Sequence, residues 1–459
     1  MTEAPLWRWP ELCSACGSPE SDGPDVTGIS IDSRTLAPGD LFVALSGDPG
    51  PRFHSSGSSG RDGHDFIAAA EKAGAAGFIV ARPVDTSLPC LQVPDSLDAL
   101  WQLGRARRAH MHGKIVAITG SAGKTTARQW LQGVLAGAGR RVHASTGSLN
   151  NHWGVPLSLA RMPRDSEFGI FEVGTNNAGE IAPLSRLVMP HVALVLNVLP
   201  AHLGRFDSLD AIRLEKLSIE AGLVPHGIMV IPEDLSHDEL HCWNVETFGI
   251  GETADVAGHV EYSSDHVDVE VTVGAHSWDY RLNTTGEHRV LTSLAVCAVA
   301  LQLGVNLEEI VAQFSHLTIP SGRGDVVSAA GVTVIDDSYN ANPVSLRYAL
   351  EALAASQGQR VAILGEILEL GEQGPAMHAA LAPHCEGLDG VITVGEGFAG
   401  WPAGAATWGH YDSVEDMDID ELASRLMPGT RVLVKGSNKV FWTHNFVKRL
   451  VEVLKTREK

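Results

Sequence analysis

Residues 114–126, Lys-Ile-Val-Ala-Ile-Thr-Gly-Ser-Ala-Gly-Lys-Thr-Thr, restrict what this chain can fold into more than any other stretch. The β-forming run Ile115 to Thr119 predicts a strand, and Gly120, Ser121, Ala122 and Gly123 predict a tight turn. Lys124, Thr125 and Thr126 then open a helix that continues through Trp130, Leu131, Val134 and Leu135. Strand, glycine turn and helix in that order are the setting of a phosphate-binding loop, where curled backbone N–H groups and a helix N-terminus face an anion. In that reading Lys124 reaches the terminal phosphates of ATP and the Thr125 hydroxyl holds Mg²⁺. Only Ser121 and Ala122 separate the two glycines, a shorter span than in the commonest nucleotide loop. An ordinary strand-to-helix turn is the competing reading. The ATP site is the better fit because strand, turn and helix all fall where phosphate binding needs them.

A chain of 459 residues has room for about three domains. Residues 1–111 read as a small α/β domain, with short strands over 26–45, a helix over 64–72, a strand over 77–81 and a helix from Ser96 to Arg108. Inside it the polar stretch Gly47 to Gly63 reads as a mobile surface loop. Over residues 112–323, strands at 114–119, 168–173, 191–198 and 227–231 alternate with helices, the pattern of a parallel sheet covered by helices. Residues 254–282 switch to short strands that predict an antiparallel edge or a small added sheet, and helices follow over 291–303 and 307–316. Pro320-Ser-Gly-Arg-Gly324 reads as a hinge. Residues 324–459 resume the alternation as a third, Rossmann-like unit, with strands near 332–336, 361–365, 391–395 and 431–435 and a helix over 343–354.

A formal net charge of −21 argues against a nucleic-acid partner or an anionic membrane surface. No stretch approaches the ~20 apolar residues of a membrane span. The N-terminal residues lack the charged-then-apolar layout of a signal peptide, so a cytoplasmic protein is expected; a monomer is expected as well. Six scattered cysteines make no disulfide framework, and Cys13-x-x-Cys16 has no second pair at ligand spacing, so free thiols are expected rather than zinc.

Ligands of an open parallel sheet bind outside the carboxyl ends of its strands. Glu172 ends one expected strand, and Asn197, Ala201 and His202 follow another, so a carboxylate and a histidine are placed to hold metal beside the phosphates. A helix-capping glutamate and an ordinary loop histidine are the plainer alternatives. Leu209, Ile212, Lys216 and Ile219 fall on one helical stripe. A lysine turned inward loses charge through burial and becomes reactive, unless it snorkels to the surface. Asp336-Asp-Ser-Tyr-Asn-Ala-Asn-Pro343 joins a strand to a helix; its carboxylates are placed to grip ribose hydroxyls or an amine, or simply to cap the helix. Lys435-Gly-Ser, after the last strand, is placed to meet a carboxylate or phosphate.

Together these stretches resemble the Mur ligases, the ATP-dependent amide-forming enzymes of peptidoglycan assembly. The resemblance spans nearly the whole chain. It is carried by Thr119-Gly-Ser-Ala-Gly-Lys-Thr-Thr, Ile31-Asp-Ser-Arg, Pro38-Gly-Asp-Leu-Phe-Val-Ala-Leu, Asn150-Asn-His-Trp-Gly-Val-Pro, Glu172-Val-Gly-Thr-Asn-Asn-Ala-Gly-Glu-Ile, Ala201-His-Leu, Leu364-Gly-Glu-Ile-Leu-Glu-Leu-Gly, Val432-Leu-Val-Lys-Gly-Ser and the Asp336–Pro343 run, which marks one branch. It implies three α/β domains: a UDP-sugar-binding domain (1–111), a central P-loop parallel-sheet domain (112–323), and a C-terminal Rossmann-like domain (324–459) that closes over ATP and binds the incoming amine.

The implied chemistry is transfer of the γ-phosphate to a substrate carboxylate, then attack on the acyl phosphate by an amine. In this branch the substrates are a UDP-muramoyl tripeptide and D-Ala-D-Ala. Lys124, Lys216 and His202 are the implied catalytic group. Thr125, Glu172, His202 and Lys216 match metal positions for two Mg²⁺ ions, Lys216 as a lysine carbamylated in the family. Gly120 to Thr126, His288, Arg323 and Asp337 match nucleotide contacts, with His288 against the base and Asp337 on the ribose. Ser30, Ser33, Arg34, Asn150 and Asn151 match the UDP-sugar region, and Asn340, Asn342 and Lys435 further substrate contacts. The chain departs from the pattern at Arg289 and Thr292, where the family carries adenine-reading asparagines, and at Asn438-Lys-Val-Phe-Trp442. The loop 47–62 adds a third difference, near the implied uridine site. Besides the peptidoglycan ligase, the departures leave open an amide ligase of a specialised pathway and a non-catalytic nucleotide- or UDP-sugar-binding regulator. A P-loop kinase fits less well, because nothing marks a hydroxyl acceptor with a catalytic aspartate.

Overall fold

Short apolar runs alternating with helices produce three sheets in chain order in the computed structural model, which describes residues 5–47, 61–200, 205–263, 266–284, 286–368, 370–401 and 407–457. His202 and most of the loop expected over 47–63 lie outside the described residues.

The first sheet is parallel, in the order β1 (Gly28–Ser30), β2 (Asp40–Val43), β3 (Gly77–Val80), β4 (Cys90–Gln92). Helix Ser96–Ala109 covers it and begins where the Asp95 carboxylate accepts from the amides of Leu97 and Asp98. Helix Trp9–Cys16, absent from the sequence reading, packs into the same core through Trp9 and Leu12. Cys13 and Cys16 are free thiols buried there, and burial, helped by the neighbouring Cys13, pushes the Cys16 thiol up to about 12.

The central sheet has nine strands: β5 (Lys114–Thr119), β6 (Val142–Ala144), β7 (Phe168–Glu172), β8 (Val192–Val195), β9 (Ile228–Pro232), β10 (Val245–Ile250), β11 (Val256–Tyr262), β12 (Val267–Val273) and β13 (His276–Leu282). Their order is β13-β12-β11-β10-β9-β8-β5-β7-β6. Residues 256–282 form an antiparallel edge of this same sheet rather than a sheet of their own. Val116 and Ile118 of β5 are buried against one helical layer, Ile115 and Ala117 against the other. Because β7 and β8 flank β5 on opposite sides, the chain reverses direction across the sheet there. That opens a crevice at the carboxyl end of β5, where the glycine turn sits.

The last sheet runs β14 (Asp325–Ala329), β15 (Val332–Asp337), β19 (Arg431–Lys435), β16 (Arg360–Gly365), β17 (Gly390–Val394), β18 (Thr407–Tyr411), with only β14 antiparallel to its neighbour. The first two units are tied by Trp7 Nε1 donating to the Ala160 carbonyl (2.8 Å) and Arg161 Nε to the Ile29 carbonyl (2.6 Å). Among the described residues no helix is long and apolar enough to cross a membrane.

Candidate active site

The glycine turn takes backbone angles open to few other residues: φ is +151° at Gly120 and +79° at Gly123. A Cβ at Gly123 would stand 2.8 Å from the Leu196 side chain, so the turn is packed as well as bent. Asn197 braces it. The Ser121 and Ala122 amides donate to the Asn197 carbonyl (3.1 Å) and Oδ1 (2.9 Å), and Asn197 Nδ2 donates to the Ala122 carbonyl at 3.1 Å. The first-turn amides of an α-helix have no partner within it, and Lys124, Thr125 and Thr126, the first turn of helix Lys124–Gly137, line the crevice. Lys124 folds its Nζ back onto the Gly120 carbonyl at 2.6 Å. The protein around it lowers its pKa below the ordinary lysine range; Glu172 opposes that shift and Arg323 adds to it.

Register places Glu172, the last residue of β7, opposite Ile118 of β5. Its Oε2 accepts from the Thr125 hydroxyl at 3.2 Å and its Oε1 from Arg128 Nε at 2.7 Å, a buried ion pair beneath the turn. Lys216 is 3% exposed on helix Leu209–Leu217. Burial pulls its pKa down to about 7 and the Lys124 charge adds to the effect, while Glu215 and Glu180 oppose it. Lys124 and Lys216 are therefore neighbours in the field of the site. Ile212 and Ile219 share the burial expected of the stripe, whereas Leu209 is 48% exposed and lines the crevice. Among the described residues no three His, Cys, Asp or Glu side chains gather at ligand spacing.

The opposite wall comes from the helix Glu287–Gln302 and the third unit. The helix begins four residues before the expected start, after Gly286 at φ +104°, which puts His288 and Arg289 in its first turn. His288 opens into the crevice beside Gly286, where an added Cβ would meet its ring at 2.8 Å. Thr292 returns its hydroxyl to the His288 carbonyl at 2.7 Å. Arg323 lies over the Tyr339 ring, 4.2 Å from its centroid, and donates to Ser148 Oγ at 3.3 Å. At the ends of β15 and β19, Asp337 Oδ2 accepts from Lys435 Nζ at 2.5 Å, and Lys435 also reaches the Asn340 carbonyl at 3.3 Å.

These groups face a cleft of about 1410 Å³ lined by Lys124, Thr125, Glu172, His288, Arg323 and Asp337. Asn150, Asn151, Asn340, Asn342 and Lys435 also line it, while Lys216 is buried and is not among the lining residues. Two of the asparagines have structural duties. Asn151 Oδ1 accepts from the Gly154 amide at 2.9 Å, and Asn342 Oδ1 caps helix Pro343–Ala354 at the Ser345 amide, 2.8 Å away. Ser30, Ser33 and Arg34 are not among the lining residues. Ser30 is buried with its hydroxyl on the Asp32 carbonyl (3.0 Å), and Arg34 extends into solvent paired with Asp32 (2.6 Å). Arg128, Ser148 and Tyr339 were not singled out by sequence reasoning. For Arg128 the signal was present: it follows Lys124 by one helical turn.

Comparison with known proteins agrees with this geometry. Residues 118–300 match the Mur ligase middle domain, and residues 322–438 match the Mur ligase glutamate ligase domain. The UDP-N-acetylmuramoyl-tripeptide–D-alanyl-D-alanine ligase of Escherichia coli is 33% identical, over 82% of this chain and 83% of that protein. The structure of MurF from Acinetobacter baumannii superposes with a TM-score of 0.84 at 30% identity, covering 97% of this chain and 99% of the other. The MurF ligase of Thermotoga maritima in complex with ADP superposes with a TM-score of 0.78 at 29% identity, covering 94% and 98%. The chain belongs to the Mur ligase family.

Proposed function

We propose that this chain is the ATP-dependent ligase that joins D-alanyl-D-alanine to a UDP-N-acetylmuramoyl tripeptide in cytoplasmic peptidoglycan precursor synthesis. One observation carries the reading. The carboxyl ends of two sheets meet at one cleft, with Lys124, Thr125 and Glu172 from the central sheet facing Arg323, Asp337 and Lys435 of the hinge and third unit. A phosphate donor and a carboxylate acceptor held between them are both near cations.

The balance of steps is simple. The γ-phosphorus bonds to a carboxylate oxygen of the tripeptide as its bond to the β–γ bridging oxygen breaks, and ADP leaves. The amine of D-Ala-D-Ala then bonds to the carbonyl carbon, phosphate leaves with the C–O electron pair, and the nitrogen releases a proton. The helix N-terminus and Lys124 hold the phosphate oxygens as charge moves between them. Asp337 accepts from ribose hydroxyls, His288 lies against the base, and Arg323 joins the phosphates from the hinge side. Asn150 and Asn151 orient the UDP-sugar from the cleft and Ser33 and Arg34 from the first unit, where the buried Ser30 hydroxyl braces the Asp32 carbonyl; Asn340, Asn342 and Lys435 meet the peptide ends. Closing of the third unit about Arg323 keeps water from the acyl phosphate.

The donor set fits Mg²⁺: a hydroxyl and a buried carboxylate stand 3.2 Å apart at the phosphate end of the cleft. Lys216 as a free amine suits a hard cation poorly. After adding CO₂ and releasing a proton it would carry a carbamate, an oxygen donor to join Thr125 and Glu172 in holding the ion; His202, the fourth expected ligand, lies outside the described residues. An Mg²⁺ ion held by these residues would supply charge neutralisation at the phosphates.

The test is phosphate release over a panel of UDP-muramoyl peptides and dipeptides. The proposal expects turnover to need ATP, Mg²⁺, a UDP-muramoyl tripeptide and D-Ala-D-Ala together. Turnover with a different acid or amine and none with this pair would replace it by another amide ligase, and nucleotide binding without turnover by a regulator.

A further inference from the structure

Two glycines enclose Arg323, both at left-handed φ: +74° at Gly322 and +92° at Gly324. Each is pressed from a different unit. A Cβ on Gly322 would stand 2.4 Å from the Trp442 ring, and a Cβ on Gly324 would stand 2.8 Å from Arg289 Nη2. Arg289 is 7% exposed, and two of its nitrogens donate to neighbours. Nη1 donates to Thr126 Oγ1, in the first turn of the P-loop helix, at 3.3 Å, and Nη2 donates to the Arg323 carbonyl. Trp442 meets Tyr339 edge-on at 5.3 Å, and Tyr339 carries the Arg323 guanidinium on its face. Arg289 from the central unit and Trp442 from the third unit both converge on the hinge.

We infer that Arg289 is a positioning residue: a strap from the P-loop helix to the Arg323 carbonyl that fixes where the Arg323 side chain meets the nucleotide. This rests on the ligase reading for the role of Arg323, and on the structure alone for the strap. The guanidinium suits the task because its planar fork reaches two acceptors at once, Thr126 on one side and the hinge carbonyl on the other. Neither contact involves the UDP-sugar side of the cleft, so the effect belongs to the nucleotide.

The test is a double-mutant cycle with Arg289→Gln and Arg323→Ala, read as kcat and KM for each substrate. Arg289→Gln is expected to lower kcat/KM for ATP about tenfold, with KM for either peptide changed less than about twofold. In the Arg323→Ala background the same change should add less than about twofold, because no side chain is left to position. Arg289→Lys, which keeps the charge and reaches one acceptor, should recover part of the loss, and it carries the test if the glutamine variant folds poorly. Losses that multiply through the cycle, or that fall equally on ATP and both peptides, overturn the inference. Hydrogen exchange of the 320–325 segment in nucleotide-free protein reads the strap without turnover. Arg289→Gln should speed exchange there about tenfold and leave β5 unchanged. Unchanged exchange at the hinge overturns the strap whatever the assay shows. A wild-type enzyme without phosphate release overturns the ligase reading and leaves the exchange result to decide the strap.

Discussion

Tyr339 Oη and Ser148 Oγ stand 2.6 Å apart, joining the third unit to the central one across 191 residues of chain. Ser148 also receives Arg323 Nη2, so one hydroxyl ties together the loop that leads to Asn150, the hinge and the Tyr339 ring. Tyr339→Phe removes a single hydrogen bond and keeps the face on which Arg323 lies. It should lower kcat/KM for ATP by about three- to tenfold, the worth of one net hydrogen bond. Tyr339→Ala also removes the cation–π contact and should cost about tenfold more. Steady-state kinetics of the two variants check the ordering, and equal losses would show that the hydroxyl alone matters and that the ring adds nothing.

Lys435 and Asp337 form a pair of unequal depth, with side chains 4% and 23% exposed. Asp337→Asn leaves a buried ammonium facing a neutral amide, whereas Lys435→Met leaves a carboxylate that can still reach water. Asp337→Asn should therefore be the more destabilising, by about 3 kcal/mol against about 1 for Lys435→Met. Denaturant unfolding of both variants measures the difference. Asp337→Asn should also raise KM for ATP more than KM for either peptide, the outcome that the proposed ribose contact requires.

The limits of the sequence as a guide follow from which forces are local. β5, β7 and β19 are continuous apolar runs buried on both faces, and their positions are plain from composition over a few residues. β14 is antiparallel and only partly buried, β18 carries Trp408, His410 and Tyr411 in place of an aliphatic run, and helix Trp9–Cys16 is a short amphipathic turn, so none has a strong local signature. The site divides the same way. Gly120 to Thr126 declare themselves because backbone geometry and phosphate chemistry are written in adjacent residues. The Arg128–Glu172 pair spans 44 residues, and the Arg289 contact with Thr126 spans 163; only the folded sheet brings them together. Lys216 was legible through its inward stripe, although Leu209 on that stripe faces the cleft.

Lys216 gives a test that separates charge from chemistry. Lys216→Arg keeps a cation and cannot form a carbamate, so if the carbamate holds metal the variant should lose about a thousandfold in kcat while folding normally. Carbon-13 bicarbonate followed by chemical trapping should label wild type at this residue and leave Lys216→Arg unlabelled. An active Lys216→Arg enzyme would remove Lys216 from the metal site.

The hinge also carries a pH signature. Antiparallel pairing sets Asp325 of β14 directly opposite Asp336 of β15. Burial raises both carboxyl pKa values above the ordinary 3.8; after burial, the Asp336 charge raises Asp325 further, and the Asp337 charge acts in the same direction on Asp336. A raised acid binds its proton more tightly in the folded state. Its contribution to stability is thus most favourable below the unfolded value and is lost as pH climbs through the raised folded value. Asp325→Asn removes one of the facing charges and keeps an Oδ1 to accept from the Gly322 amide, now at 2.7 Å. Arg289, which Asp325 partly neutralises, limits the gain. The variant should be more stable than wild type at neutral pH by about 0.5–1 kcal/mol, with the advantage fading toward pH ~4 as the wild-type carboxyls take up protons. Thermal melts across that range decide the matter. A gain independent of pH, or a loss at neutral pH, would mean that the two carboxylates do not oppose each other across the hinge.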